Sequence, residues 1–124
     1  RTLLGRLCRF HLWEPNSFGM HKAMLHEDAL REHGPGIRRA YTYKALNKLI
    51  QGSAADMTKK AMLDLYKEGI LAHIQIHDEL DLSVESDAQA KKIIEIMENA
   101  VNLEVPNKVD YETGKTWGDI YDKD

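Results

Sequence analysis

The 124-residue sequence predicts an α+β fold, an antiparallel sheet with two main helices packed on one face. Three observations lead to this prediction. Apolar residues recur at three- and four-residue steps over 42–68 and again over 86–101, which is the spacing of amphipathic helices. Apolar and polar residues alternate over 70–84, as they do in half-buried antiparallel strands. The length suits one domain with a modest core.

Composition and charge narrow the class of protein without identifying it. No apolar run approaches the roughly 18 residues of a membrane span, so we expect no membrane partner. Cys8 is the only cysteine, which excludes an internal disulfide and favours a reducing compartment. The formal net charge is −3, whereas a protein that grips a phosphate backbone unaided is usually basic. Either nucleic acid is not the partner, or the basic surfaces lie elsewhere.

The first forty residues give the weakest patterns. Over residues 1–13 we expect a short hairpin, because Gly5 suits a tight turn and a weak apolar–polar alternation follows it. The first residues lack an initiator methionine and the layout of a secretory signal, so we expect a piece of a longer protein or a processed product. Residues 14–40 are expected to form a variable loop with one short helix. His21 and His26 in this region do not have the spacing of a zinc site.

The longest helical pattern covers residues 42–68. Thr42 is the expected N-cap, and Gly69 is the expected stop. Gly52 lies inside this helix, where it costs about 1 kcal/mol relative to Ala. A glycine is better tolerated there if another group must approach the helix backbone closely.

The rest of the chain predicts a strand pair, a second helix and a terminal strand. The strand pair covers residues 70–84. Ser86 and Gln89 have the spacing of a capping box, which places the start of the second helix. After this helix we expect a strand around residues 108–111 and a turn at residues 113–114.

The tip of the central strand pair has an unusual composition for a tight turn. Such turns favour Asn-Gly, Asp-Gly or Gly-rich pairs, but this one reads His77-Asp78-Glu79, with Asp81 close behind. These three carboxylates repel one another unless water, a cation or a basic partner offsets them. Mg²⁺ often binds through one or two carboxylates plus substrate phosphates, so Asp78 and Glu79 form a candidate half-site. The alternative is an ordinary solvated acidic turn.

A second candidate feature lies on the long helix. Asn47 and Gln51 are four residues apart and therefore share a helix face, and Tyr43 extends the row by another turn. Neutral amides with an aromatic ring suit contact with bases and sugars. The alternative is an ordinary exposed helix face.

Both segments, in this order and at this spacing, are similar to motifs of the family A (DNA polymerase I-like) DNA polymerases. The run from Asn47 through Gln51-Gly52-Ser53-Ala54-Ala55-Asp56 resembles the family's Asn-x-x-x-Gln-Gly-(Ser/Thr)-Ala-Ala-Asp signature. Gln75-Ile76-His77-Asp78-Glu79 resembles its motif C, a Val-His-Asp-Glu hairpin. The resemblance covers most of the chain but not residues 14–40. It implies that residues 1–124 form the C-terminal part of a polymerase palm subdomain, a fragment of a larger polymerase domain.

The resemblance assigns a role to each matching residue. Asp78 would be the motif C carboxylate that binds catalytic Mg²⁺, with Glu79 supporting it as a ligand or as a neighbour of the ligand. His77 would lie beside the terminal nucleotide of the primer. Asn47 and Gln51 would contact the minor groove of the template-primer, where neutral amides can check base pairing without reading sequence.

The sequence departs from the family pattern at Tyr43, where the bacterial repair-type enzymes carry an arginine. Tyrosine cannot make the charged minor-groove contact of that arginine, so we expect Tyr43 to contact DNA without it. The departure suggests a divergent branch, such as that of a phage.

The implied reaction is attack of a primer 3′-hydroxyl on the α-phosphate of a dNTP, assisted by two Mg²⁺ ions. The first aspartate motif of the family and its nucleotide-binding helix are not in this sequence. We therefore expect the chain to be inactive alone and to need an N-terminal polymerase segment or partner chain. The implied location is the cytoplasm of a bacterium or of a phage-infected cell.

Two other functions fit the same residues. The chain could be a non-catalytic palm remnant that binds nucleic acid, which predicts weak duplex binding and no gain from Mg²⁺. It could also be a metal-dependent phosphodiesterase that uses His77, Asp78 and Glu79, which predicts nuclease activity from the isolated chain.

Overall fold

Residues 1–121, described here in a computed structural model, form the α+β fold that the sequence predicts. The chain divides into two compact units, Arg1–Asp56 and Met57–Asp124, and the boundary falls inside the long helix. The elements are β1 (Trp13–Pro15), α1 (His26–His33), β2 (Ile37–Arg39), a 3-10 turn (Thr42–Lys44), α2 (Ala45–Lys67), β3 (Ile74–Ile76), β4 (Glu79–Asp81), α3 (Asp87–Glu98) and α4 (Gly118–Tyr121).

The first unit contains a small sheet that the sequence patterns do not indicate. β1 and β2 pair antiparallel, with Trp13 opposite Arg39. Met24 adds an isolated bridge to Trp13 through backbone hydrogen bonds of 2.8 and 3.0 Å. α1 packs against both strands and buries Ala29. The short helix expected within residues 14–40 is therefore present, but two strands flank it.

The strand expected within residues 1–13 is wrong, since β1 begins only at Trp13. A tight turn forms instead. Thr2 N donates to the Arg6 carbonyl at 2.8 Å, and Gly5 N donates to the Thr2 carbonyl at 2.9 Å. Gly5 has a φ of 88°, so its role in a turn is confirmed. Leu3 N and the Arg6 side chain then donate hydrogen bonds to α2, so this segment packs on a helix and not on a strand.

The long helix is confirmed, with a different start. Thr42 is the first residue of the 3-10 turn and not an N-cap, and Tyr41 precedes it in the left-handed region with φ 61°. The regular helix, α2, begins at Ala45. At the other end Gly69 has a φ of 77°, and Ile70 N donates to the Leu65 carbonyl at 2.9 Å. This is a glycine-terminated helix end, as the sequence predicts.

The second unit also confirms the predicted start of α3. Ser86 Oγ accepts a hydrogen bond from Gln89 N at 3.2 Å. The Gln89 side chain accepts in turn from Glu85 N at 2.7 Å, one residue before the expected partner. Ala90 and Ile93 are buried on the inner face of this helix.

The predicted strands of the second unit are shorter than expected, and one is absent. Among residues 57–121 only β3 and β4 form, as a two-stranded sheet that is separate from the sheet of the first unit. The strand expected at residues 108–111 is wrong. Val109 N donates to Glu98 Oε1 at 3.0 Å, so a side chain takes the place of a strand partner. The turn expected at residues 113–114 is also wrong, since the bends lie at residues 115–117. No helix of residues 1–121 is long and apolar enough to cross a membrane.

Candidate functional site

The hairpin of the second unit has the shortest common kind of turn. Ile76 pairs with Glu79, so only His77 and Asp78 connect the strands. Pairing continues to Ile74 opposite Asp81, which fixes the register of both strands. The turn is thus a two-residue connection, and Glu79 is the first residue of β4. Its carboxylate is held next to the turn by strand pairing.

His77 adopts an uncommon backbone conformation at this turn. Its φ is 52°, in the left-handed region that glycine occupies most easily. The Gln75 side chain donates to the His77 carbonyl at 2.8 Å and so supports the turn from the preceding strand. The His77 side chain is exposed. Residues held in such conformations cluster at functional sites, where the requirement for a particular side chain outweighs the energetic cost of the strained backbone.

The hairpin carboxylates differ in exposure. Asp78 and Glu79 are exposed, and Asp81 is half-buried. Glu79 and Asp81 are two residues apart on β4 and share a face of the strand. Burial raises the pKa of Asp81, and the negative charge and hydrogen bonding of Glu79 raise it further. The carboxylates therefore lie close enough to repel each other, and a cation would relieve that repulsion.

The donor set of the tip fits half of a magnesium site. Carboxylate oxygens are the ligands that Mg²⁺ prefers, and two adjacent exposed acids leave room for water and phosphate ligands. Across residues 1–121, no group of three or more His, Cys, Asp and Glu side chains converges as a full metal site would require. The tip can therefore supply part of a coordination sphere, as the sequence suggests.

The amide row predicted on the long helix lies in the first unit. Asn47 and Gln51 are both exposed and are four residues apart on α2, so they share one face. Tyr43 lies in the 3-10 turn that precedes the helix and is 79% exposed. All three side chains are available to a ligand.

Other residues of the same helix have an internal role that the sequence reasoning missed. Residues 2–6, hereafter the docking segment, lie against α2. Leu3 N donates to Ser53 Oγ at 2.9 Å. A Cβ on Gly52 would lie 2.9 Å from Thr2 Cγ2, so only glycine allows this approach. Gly52 inside the helix already indicated a close approach from the sequence, whereas no sequence pattern indicated the contacts of Ser53 and Asp56.

An ion pair completes the attachment of the docking segment. Arg6 Nη2 lies 2.8 Å from Asp56 Oδ1, and Arg6 Nε donates to the same oxygen at 2.9 Å. Arg6 Nη2 also donates to the Gly52 carbonyl at 2.9 Å. The Asp56 side chain is 8% exposed and that of Arg6 is 52% exposed. Gly52, Ser53 and Asp56 thus bind another part of the protein, whereas Gln51 faces outward.

Comparisons with known proteins find a family model and several relatives that match the chain. The profile of DNA polymerase family A matches residues 2–119. A DNA-directed DNA polymerase from Pseudomonas phage M6 is 46% identical over 117 residues, which cover 94% of this chain and 14% of the relative. DNA polymerase I of Bacillus caldotenax is 48% identical over 84 residues, covering 60% of this chain and 10% of the relative.

A third relative extends the range of sources. DNA polymerase I of Bacillus subtilis (strain 168) is 44% identical over 92 residues, covering 67% of this chain and 10% of the relative. The chain therefore spans 14% or less of the length of these three relatives. No solved structure matches the chain at the same level of significance.

Proposed function

Because the chain belongs to the family A DNA polymerases, we propose that it carries one of the two catalytic carboxylate sites of a template-directed DNA polymerase. The reaction is attack of the primer 3′-hydroxyl on the α-phosphate of a dNTP, with release of pyrophosphate. The observation that carries the proposal is the pair of exposed acids, Asp78 and Glu79, at a two-residue hairpin turn.

Asp78 and Glu79 are the proposed magnesium ligands. Strand pairing fixes the Glu79 backbone, and the turn holds Asp78 beside it. When bound, Mg²⁺ supplies activation of the attacking hydroxyl and stabilisation of the charge that develops on the phosphate. Asp81 is held close behind them, and its raised pKa reflects burial together with the charge of Glu79. Under this proposal, the hairpin that carries Asp78 and Glu79 corresponds to motif C in the palm subdomain of the family.

The remaining site residues contact the template-primer. His77 lies in the turn beside Asp78, which suits a contact with the primer terminus. Asn47 and Gln51 present neutral donors and acceptors, which suit the minor groove because every correct pair offers similar acceptors there. Tyr43 supplies an exposed phenol one turn earlier, in place of the arginine of the bacterial repair-type enzymes.

The 124-residue chain does not synthesise DNA alone under this proposal. The second carboxylate site and the nucleotide-binding helix come from an N-terminal polymerase segment or a partner chain. The reactants of the proposed reaction are DNA and dNTPs. The proposed location is the cytoplasm of a bacterium or of a phage-infected cell.

The proposal is tested by grafting residues 2–119 into the polymerase of Pseudomonas phage M6 in place of the matching stretch. We expect the chimera to extend a primer in the presence of Mg²⁺ and to stop when EDTA removes the ion. Asp78→Asn should lower the extension rate by at least about a hundredfold, since even neighbours of metal ligands are worth 10- to 100-fold. Asp110→Asn, an exposed acid of the same unit, is the matched control and should leave the rate unchanged.

Three outcomes would count against the proposal. A folded chimera that binds primer-template but never extends it favours a non-catalytic nucleic-acid-binding remnant. DNA cleavage by the isolated chain, lost in Asp78→Asn, favours a phosphodiesterase. Equal extension rates for Asp78→Asn and Asp110→Asn would show that the hairpin acids are not the catalytic site. Thermal unfolding of each variant separates loss of chemistry from loss of fold.

A further inference from the structure

The net charge of −3 hides a strong asymmetry between the two units. Residues 1–56 carry nine Lys and Arg against five Asp and Glu, a formal charge of +4. Residues 57–124 carry eight Lys and Arg against fifteen Asp and Glu, a formal charge of −7. The first unit is therefore basic, and an overall acidic balance does not exclude a phosphate-binding surface on it.

The positive charge of the first unit is concentrated where acids are absent. Residues 1–13 and 33–55 contain no Asp or Glu. Arg38 in this region is paired with Glu14 of β1 at 2.9 Å. By contrast, the positive groups of several other residues in these stretches lie in no ion pair among residues 1–121: Arg9, Arg39, Lys44 and Lys48.

Three of these cations are brought together by contacts with one short segment. Lys48 Nζ lies 4.6 Å from the centre of the Phe10 ring and donates to the Arg9 carbonyl at 3.4 Å. Arg39 Nη1 donates to the Phe10 carbonyl. Cys8 Sγ lies 3.9 Å from the Lys48 carbonyl. Residues from the N-terminal segment, from β2 and from α2 thus meet around Phe10.

An open depression lies at this meeting point. It has a volume of about 480 Å³ and is lined by Cys8, Arg9, Phe10, His11 and Arg39. The volume lies within the range of small-ligand sites. Arg9, His11 and Arg39 are exposed at its rim.

The cationic row continues along the helix from this depression. Lys44 lies four residues before Lys48 and is also exposed. Its ammonium group lies 5.1 Å from the Tyr41 ring centre and 5.6 Å from that of Tyr43. Cations that alternate with exposed rings are the combination that tracks a nucleic-acid backbone and stacks on its bases.

We propose that Arg9, His11, Arg39, Lys44 and Lys48, hereafter the basic surface, bind the phosphodiester backbone of a DNA strand. This inference rests on the proposed function, because it takes DNA as the ligand, but none of its five residues is one to which the proposed function assigns a metal, primer or minor-groove contact. The like charges of Arg9, Arg39 and Lys48 near Phe10, with Lys44 one helical turn away, repel one another, and anionic phosphates offset that repulsion. The guanidinium groups of Arg9 and Arg39 suit bidentate phosphate contacts.

The packing contacts of the basic surface do not account for its charge. Arg39 stacks over Trp13 at 4.8 Å, which uses the flat face of the guanidinium. Lys48 similarly covers Phe10. These contacts use the positive charge but do not neutralise it. Among residues 1–121 no carboxylate forms an ion pair with Arg39 or Lys48, and a phosphate ligand would offset this charge.

The test is fluorescence anisotropy with the 124-residue chain and a labelled oligonucleotide, as a single strand and as a duplex. Titrations run in EDTA at NaCl concentrations between about 50 and 200 mM, where phosphate contacts show their salt dependence. Each lost phosphate contact reduces the slope of log affinity against log salt by about 1. The double variant Arg9→Gln/Lys48→Gln should therefore bind more weakly and lose about 2 from that slope.

The matched control is Lys22→Gln/Arg31→Gln, which removes the same charge from exposed positions of the same unit. It should keep the wild-type slope. Lys48→Arg in the Arg9→Gln background keeps one phosphate-binding charge and should recover about half of the lost slope. Thermal unfolding shows whether each variant is folded. A weakened slope in either DNA form supports the basic surface, and the form with the larger loss identifies the strand.

Several results would overturn the inference. The first is an unchanged slope of log affinity against log salt in Arg9→Gln/Lys48→Gln, and the second is an equal loss of slope in the control pair. The third is that polyglutamate competes for the chain as well as unlabelled DNA does, which would indicate unspecific attraction between opposite charges. Because EDTA removes divalent ions, binding here does not depend on the hairpin acids. Normal binding with an inactive chimera therefore counts against the proposed polymerase function alone.

Discussion

Two tight turns, one in each unit, each place a residue in the left-handed backbone region, but the two turns serve different purposes. In the first unit Gly5, with φ 88°, turns the docking segment. In the second unit His77, with φ 52°, turns the hairpin. Glycine adopts this conformation without steric cost, whereas a residue with a Cβ loses about 1 kcal/mol or more. The costlier residue stands where the side chains are exposed, which suggests that function and not folding selects it.

The two turns also differ in how much the rest of their unit contacts them. The turn at Gly5 is fixed by hydrogen bonds to α2, and Thr2 beside it is only 5% exposed. At the hairpin tip the side chains of His77 and Asp78 both face solvent. Internal contacts are thus concentrated at the first turn, while the second offers its polar groups outward. Variants at the first turn should change stability, and variants at the second should change activity.

The largest expected stability effect comes from Arg6→Gln. It removes the ion-pair partner of Asp56, a carboxylate that is almost fully buried. Loss of one partner of a buried pair costs about 3–5 kcal/mol, but Arg6 is half-exposed and solvent screens the pair. We therefore expect a loss of about 2 kcal/mol in the free energy of unfolding, measured by urea denaturation.

Arg31→Gln provides the comparison for this measurement. Arg31 pairs with Asp28 at 3.2 Å, but both side chains are more than half exposed. Exposed pairs are worth about 0–1 kcal/mol, so this change should be almost silent. Equal losses for the two variants would mean that the docking segment is not fixed by its buried contact.

A smaller effect is expected from Gly52→Ala. Helix propensity alone favours the change by about 1 kcal/mol. The new Cβ would lie 2.9 Å from Thr2 Cγ2, and a β-branched methyl near the backbone cannot move aside easily. Overpacking of this kind costs about 1–3 kcal/mol. We expect the steric term to win, with a net loss of about 1 kcal/mol in urea denaturation.

Thr2→Ser makes this prediction specific to the contact. Serine keeps the hydroxyl that accepts from Arg6 N at 3.0 Å but lacks the methyl group that collides. In that background Gly52→Ala should be neutral or stabilising, which is a favourable coupling in a double-mutant cycle. Gly36→Ala is the control, because a Cβ at Gly36 meets nothing within 4 Å. Identical effects of Gly52→Ala in both backgrounds would contradict the close approach.

The contrast also shows which parts of the fold the sequence could predict. α2, α3 and the central hairpin have periodic apolar residues and clear stop signals, so their patterns predict them well. The strands of the first unit, Trp13–Pro15 and Ile37–Arg39, are separated in sequence by α1, whereas β3 and β4 lie within one continuous run of alternating residues. Residues 108–111 have a strand-like composition, but Val109 N donates to the Glu98 carboxylate instead of to a strand partner.

The candidate site also has features that the sequence could predict and features that it could not. The acidic tip could be found from sequence because a run of acids in a tight turn contradicts turn chemistry. The role of Asp56 could not, because its partner Arg6 lies fifty positions away. The basic surface was hidden by the net charge, since the second unit carries most of the acids. Long-range contacts and the partition into units appear only in the folded chain.

The smallest stability effect is expected at the hairpin turn, from His77→Gly. Glycine relieves the left-handed conformation, which costs a residue with a Cβ about 1–2 kcal/mol. It also gives the unfolded chain more freedom, which disfavours folding by about 0.4–1 kcal/mol. The two terms nearly cancel, so we expect stability within about 1 kcal/mol of the wild type or slightly above it. The extension rate of the chimera should fall nonetheless, because the variant removes the imidazole that we propose contacts the primer terminus.

His77→Asn separates the conformation of the turn from the chemistry of its side chain. Asparagine tolerates the left-handed region, so the hairpin should keep both its geometry and its stability. If the imidazole itself contacts the primer, His77→Asn should lose as much extension activity as His77→Gly. If only the shape of the turn matters for presenting Asp78, the asparagine variant should retain wild-type activity. That result would mean that position 77 acts through its backbone conformation and not through its side chain. The contrast with Gly5, which also acts through its backbone, would then be weaker.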